Sequence, residues 1–257
     1  MKYIDKTKLH APTSYVRELQ AAHLDEANIL SYYPTETGRD LFDRVKKLPS
    51  RVYRTMRQQL MQDQGYVCCY CNRSIPMPGH GIVTEHVKPV SVYRQLAGEY
   101  KNLLVACDGG ELIPSTPVGV IPPYSRTTYP LHCDKAKAHY EIPVSPLDAN
   151  CENRFVYDPV TGRINGVVGD ADAALTVRIL NLNHDVLKRE RQKEIRNWCY
   201  DRSGNLLDYN QLYAIFNKML TPDANGYYHN LYYVIACAAM NLAVKQSVVW
   251  GSVIFLT

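Results

Sequence analysis

The sequence predicts an α+β fold: a mainly helical chain built around one small strand, strand, helix module that is rich in cysteine. Three observations carry this reading. Apolar residues recur at steps of three and four over much of both ends of the chain. Between those ends, residues 65–145 concentrate Cys, His, Pro and Gly and keep their apolar runs short. Five of the 8 cysteines lie in that middle stretch. The chain accordingly divides into an N-terminal helical region (1–64), the central module (65–145) and a C-terminal, mainly helical region (146–257).

With 257 residues and 46% hydrophobic side chains, there is material for a sizeable core, which excludes a disordered or fibrous protein. The start, MKYIDKTKLH, lacks the apolar stretch of a secretory leader, so the cysteines are expected as thiols in a reducing cytoplasm. The longest apolar run, 231–244, is shorter than the roughly 20 residues a bilayer requires. Flanked by His229 and Lys245, it reads as a core helix, and no membrane association is expected. Twenty Tyr against 4 Phe and 2 Trp put hydroxyls on most aromatic rings, which suits wet clefts.

In chain order, residues 13–33 carry a helical pattern. So do residues 38–64, where Leu41, Val45, Leu48, Val52, Met56 and Leu60 share one face. Pro49 divides the second stretch, Ser50 opens its second half and Gly65 ends it. Residues 82–87 read as a short strand that stops before Pro89, and Asn102 leads a second strand, LLVA, into Cys107. The proline-rich stretch 108–130 has no periodicity and is expected to loop out. A short helix opens at Cys133 and carries Asp134, Lys137 and His139. From Asp172 onward four helical segments follow: ALTVRILNL, VLKRERQKEIRNW, YNQLYAIFNKML and LYYVIACAAMNLAV. No internal repeat is present.

Charge is unevenly spread. The whole chain carries +4, yet positions 39–57 hold seven basic residues against Asp40 and Asp43, a local excess of +5. Arg51, Arg54 and Arg57 recur every third residue, so on a helix they form a ridge able to face a polyanion or simply water.

Cys68 and Cys71 form a C-x-x-C whose two thiolates can reach one Zn²⁺ at about 2.3 Å. Cys107 and Cys133 complete a tetrahedral, structural site if the proline-rich stretch loops out between them. A thioredoxin-like redox pair would instead need its C-x-x-C at the start of a helix following a strand, and unpaired buried thiols are the third reading. Cys69 makes a poorer chelate with Cys71 than Cys68 does, and Cys151, Cys199 and Cys237 lack partner spacing and read as core residues.

The pattern E-H-x-x-P at Glu85, His86 and Pro89, then N-L-L from Asn102, then C-D-x-x-K from Cys133 resembles the HNH endonucleases of the ββα-metal fold. Within that superfamily it looks closest to the PtuB family, the HNH component of Septu and retron-associated anti-phage systems. SPLDANCENRFVYDPVTGRI and TVRILNLNHDVLKRER extend the resemblance, which spans roughly residues 40–200. One departure is Asp134, which stands where the family usually has His or Asn. The resemblance implies a nuclease effector of anti-phage defence, and a partner PtuA-like ATPase, possibly within a retron complex, that holds it in check.

The residues support such chemistry on their own terms. Phosphodiester hydrolysis needs a base for water, a cation on the phosphate and a proton for the leaving oxygen. His86 suits the base, and Glu85 and Asp134 are hard oxygen ligands for a catalytic Mg²⁺ or Mn²⁺, with His139 as an alternative third ligand. By analogy with the family, Asn102 either orients His86 or joins the metal shell. Lys88 and Lys137 could hold flanking phosphates, as could Arg51, Arg54 and Arg57. Adjacent strand residues point to opposite faces, so convergence of Glu85 and His86 requires the strand to end, bulge or twist there.

A zinc-knuckle module that grips nucleic acid without cutting it would leave the Glu85–His86 pair idle, and a scaffold built on the C-terminal helices would leave the whole middle unexplained. The C-terminal helices and the basic ridge are the segments expected to meet the ATPase or the substrate backbone. DNA and RNA, tRNA for example, stay equally open as substrates, because no base-reading motif is present.

Overall fold

The computed structural model describes residues 1–7, 9–75, 82–107, 109 and 131–249. The stretch expected to loop out, 108–130, therefore lies outside the described residues apart from Gly109. The N-terminal region forms α1 (Thr13–Ala21), α2 (Ile29–Tyr32), α3 (Gly38–Lys46) and α4 (Ser50–Asp63). The single helical pattern expected over 13–33 is thus two helices, interrupted where His23 turns to φ +55°. A capping box opens α3: the Thr37 hydroxyl accepts from the Asp40 amide while the Asp40 carboxylate takes the Thr37 amide, each at 3.2 Å. Pro49 separates α3 from α4 as expected. Val52, Met56 and Leu60 turn inward, and α4 packs on the second strand of the hairpin.

That hairpin comprises β1 (Ile82–His86) and β2 (Leu103–Cys107), antiparallel and unbulged, with Glu85 opposite Leu104 and His86 opposite Leu103. Residues 103–106 are fully buried. Gln64, just past α4, fastens the outer edge of β2: its Oε1 accepts from the Val105 amide at 2.7 Å, and its Nε2 donates to the carbonyls of Val105 (2.8 Å) and Val67 (3.0 Å). One side chain thus stands in for a neighbouring strand and ties β2 to the cysteine knuckle. The short helix α5 (Asp134–Lys137) follows.

The C-terminal region adds a small hairpin, β3 (Phe155–Tyr157) and β4 (Ile164–Gly166), which the helical reading of this region did not contain. Then come α6 (Ala171–Ile179), α7 (Asp185–Cys199), α8 (Tyr209–Met219) and α9 (Tyr232–Val249). The apolar run expected as a core helix is α9, which packs against α7, α8 and β3. Its Val234, Ile235, Ala238 and Ala239 are buried, so the apolar character of this helix is spent inside the chain. No helix among the described residues is long and apolar enough to cross a membrane. Buried side chains from all three regions join one core.

Replacing Gln64 by Leu should remove three hydrogen bonds and strand the buried Val105 amide, while the Val105 carbonyl keeps the Cys69 amide, lowering stability by about 2–4 kcal/mol. Urea denaturation of the variant checks this, and a loss below about 1 kcal/mol would show that the edge of β2 is held by packing alone.

Candidate metal centre and adjoining carboxylate site

The sulfurs of Cys68, Cys71, Cys107 and Cys133 all lie within 4.8 Å of one another, and among the described residues this is the one group of three or more potential ligands that could hold a metal ion. Each reaches the centre from a different local structure. Cys68 and Cys71 sit on a tight knuckle closed by Cys68 N–H to Arg73 C=O (2.9 Å) and Asn72 N–H to Cys68 C=O (3.0 Å), with Asn72 at φ +61°. Cys107 ends β2. Cys133 precedes α5, and its amide is held by the carbonyl of Leu180 at 2.9 Å. Gly109 is required where the chain passes His132: at φ +66°, a Cβ there would stand 1.7 Å from the His132 carbonyl oxygen.

The spacing suits zinc. A tetrahedral ion with Zn–S near 2.3 Å has sulfur–sulfur edges of about 3.8 Å, and Cys71 and Cys107 are 3.8 Å apart. Burial opposes ionisation of Cys68, but hydrogen bonds from Cys107, Cys133, Cys69 and Cys71 outweigh it and hold this thiol well below its ordinary value. Cys69, one residue on, is pushed well above it by burial and lies outside the group. The choice of Cys68 over Cys69 therefore matches the geometry. Two neighbours were not singled out from sequence. His132 places Nδ1 3.2 Å from Cys133 Sγ and 3.9 Å from Cys107 Sγ. Arg191 of α7 is buried with its Nε unpartnered and feels the thiols of Cys71 and Cys133.

Beside the sulfurs, β1 presents the acid and the imidazole to opposite sides. The Glu85 carboxyl accepts from Tyr70 Oη at 2.9 Å and meets Lys137 Nζ at 2.7 Å. Burial pushes it up to about 8, a hydrogen bond with Asp134 adds to this, and the pull of Lys137 does not offset them. Glu85 and Asp134 thus form a carboxyl pair in hydrogen-bond contact. His86 turns the other way: its ring meets Phe42 edge-on at 4.4 Å, and Nε2 lies 3.0 Å from the carbonyl oxygen of Ala97. A carbonyl only accepts, so Nε2 carries the hydrogen and Nδ1 keeps its lone pair. Burial lowers the imidazole to about 4.

Several expectations are corrected here. β1 runs unbulged to its end at His86, and Glu85 and His86 make their contacts on opposite sides; Lys137 also donates to the His86 backbone carbonyl at 2.8 Å. Of the two alternatives for Asn102, only the metal shell is corrected: its side chain is spent on backbone, accepting from the Lys88 amide (2.8 Å) and donating to the Lys88 carbonyl (3.1 Å), while its own carbonyl accepts from the Val87 amide at 3.0 Å beside His86. Lys137 is only 1% exposed and locked to Glu85, which removes it from phosphate binding. His139 lies past the end of α5, where Ala138 reverses the chain at φ +49°; it is exposed and stacked on Tyr140, so it is no third ligand. Lys88 is exposed, with its ammonium 5.3 Å from the centre of the Tyr93 ring. Arg51 and Arg54 are exposed, whereas Arg57 is half-buried and donates to the Ile82 carbonyl at 3.3 Å. Tyr70 and Phe42 were missed. Tyr70 lies inside the knuckle sequence itself, but nothing local distinguishes Phe42 from other helix-face aromatics.

Replacing Cys68, Cys71, Cys107 or Cys133 by Ser should abolish a one-zinc-per-chain stoichiometry and unfold the knuckle, whereas Cys69→Ser should keep the metal. Metal analysis of the purified variants checks both, and the reverse result at positions 68 and 69 would overturn the ligand assignment. Acid should also find His86. Its folded value, about 4, lies below the unfolded 6.5, so the folded chain binds fewer protons and loses stability as pH falls through that window. His86→Phe should flatten this part of the stability profile, and an unchanged slope would show that the ring is not held neutral.

A scan against models of protein families finds no match to this chain, and a search of curated proteins finds none either.

Proposed function

We infer that the chain is a metal-dependent HNH-type endonuclease that hydrolyses phosphodiester bonds of nucleic acid, with β1, β2 and α5 as its working unit and a four-cysteine zinc as its clasp. One observation carries this reading: the carboxyl of Glu85 on β1 is within hydrogen-bond reach of the carboxyl of Asp134 on α5, and the next residue of β1 is a buried imidazole. Carboxyl groups in such contact can share a cation, and Mg²⁺ is commonly held by one or two carboxylates with water completing its shell. When bound, such an ion would offset charge developing on the phosphate.

The chain's own residues supply the rest. His86 Nδ1 is the free lone pair for the attacking water's proton, and the Ala97 carbonyl fixes the tautomer that leaves it free. Asn102 holds the strand exit that aims the imidazole. Phe42 lies against His86, with Lys46 4.9 Å from the centre of the Phe42 ring. Substrate therefore approaches along α3 and α4, where Arg39, Lys47, Arg51 and Arg54 are exposed. Glu85 and His86 are only 4% and 9% exposed and face opposite sides of β1, so Phe42 and its helix must give way and the imidazole must swing toward the carboxyl pair before both can act on one phosphate. The same burial favours a second reading, a zinc-knuckle module that binds nucleic acid without cutting it. The sequence resemblance to the PtuB family extends the first reading to an anti-phage effector restrained by a PtuA-like ATPase.

Cleavage of plasmid, single-stranded DNA and total RNA with Mg²⁺ or Mn²⁺ tests this. His86→Ala should keep its zinc and its substrate binding but lose about 10²- to 10⁴-fold in rate. Glu85→Ala and Asp134→Ala should recover partly at raised metal concentration, and His86→Ala should not. A wild-type chain that binds nucleic acid and never cuts it would leave the binding-module reading standing instead.

A further inference from the structure

The four-cysteine centre has a neighbour that neither the ligand set nor the nuclease reading uses. His132 is completely buried, and its Nδ1 lies 3.2 Å from Cys133 Sγ and 3.9 Å from Cys107 Sγ, beside the edge that these two sulfurs share. Structural zinc takes four ligands, and the cysteines already provide four. A fifth donor atom has no place on the ion. The ring nitrogen is nonetheless within hydrogen-bond reach of a sulfur that becomes a thiolate when metal binds.

A thiolate can only accept, so the contact is favourable only if Nδ1 carries the hydrogen. Four thiolates around one Zn²⁺ leave two surplus negative charges in a buried place, where each unsolvated charge is expensive. An N–H aimed at one sulfur draws part of that charge off the ligand, which weakens its attraction for protons and electrophiles. The backbone that carries the ring is held on both sides: Asn181 Nδ2 donates to the Leu131 carbonyl at 2.8 Å, Leu180 holds the Cys133 amide, and Gly109 passes close against the His132 carbonyl.

We propose that His132 is a built part of the metal centre, donating Nδ1–H to the zinc-bound thiolate of Cys133 and thereby holding the metal and shielding that sulfur from thiol-reactive agents. The role is one of tuning and positioning, and it stands whether or not the chain cuts nucleic acid.

The test compares His132→Asn with His132→Phe in the full zinc-loaded chain. The Asn amide nitrogen occupies nearly the place of Nδ1 and keeps an N–H, whereas Phe keeps the ring and loses the donor. His132→Phe should release zinc to a competing chelator with about 10- to 100-fold weaker affinity, the range for removing a partner of a metal ligand. Its Cys133 should also be alkylated faster, while His132→Asn stays near wild type. Equal behaviour of both variants, impaired or not, would overturn the proposal, because the effect would then follow shape and not the donor. Should His132→Phe fail to fold, the wild-type chain loaded with a spin-half cadmium isotope decides. A His132 Hδ1 resonance with scalar coupling to the metal supports the proposal, and an Nδ1 without a proton overturns it.

Discussion

The meeting of four cysteine sulfurs organises the middle of this chain. Cys68 and Cys71 come from a knuckle after α4, Cys107 from the end of β2 and Cys133 from the start of α5, so a single ion would join three pieces that share little backbone pairing. Two other contacts reinforce the clasp: Gln64 bridges the knuckle to β2, and the Cys69 amide donates to the Val105 carbonyl at 3.2 Å. A two-stranded hairpin is marginal by itself in water. Here α4 covers one side, and the sulfurs pin the end from which α5 must start. The placement of Asp134 and Lys137 next to Glu85 follows from that pin.

The carboxylate site lives by a different balance. Glu85, Asp134 and Lys137 are charged residue types gathered where water is scarce, and desolvation makes such groups costly unless they satisfy one another. They do so through the Tyr70 hydroxyl, the contact between the two carboxyl groups and the Lys137 ammonium. An ensemble of this kind is easily altered, because exchanging a proton for a cation changes the charge of the pair without moving the backbone that carries it. On the other side of β1, Phe42 and Ala97 keep the His86 ring dry and neutral. The pleat of an unbulged strand therefore separates acid from imidazole, and Lys137 binds the Glu85 carboxyl together with the backbone carbonyl of His86.

The surrounding helices divide their work. In α3 and α4 the buried faces support the hairpin while the outer faces hold the cationic excess. The C-terminal helices chiefly complete the core. The apolar face of α9 is taken up by α7, α8 and β3, and Arg73 of the knuckle pairs with Glu190 of α7 at 2.8 Å. The four-cysteine cluster is in this way braced from the C-terminal side as well as from α4.

Much of this was legible in the residues. Period and punctuation located α3, α4, the two strands of the hairpin, α5 and the last four helices, because apolar spacing and breakers such as Pro49 and Gly65 act locally. The C-x-x-C spacing chose Cys68 and Cys71, and chain order supplied Cys107 and Cys133, since thiolate chemistry limits what such a set can be. Other features needed the tertiary structure. Asn102 is tied to the Lys88 backbone and Lys137 is buried against Glu85, outcomes set by residues distant in sequence, while His139 lies beyond the positive-φ turn at Ala138, which no sequence pattern marks. Residue type and spacing determined which groups were available for metal and proton chemistry. Only packing, by setting the distance and burial between them, decided which groups met.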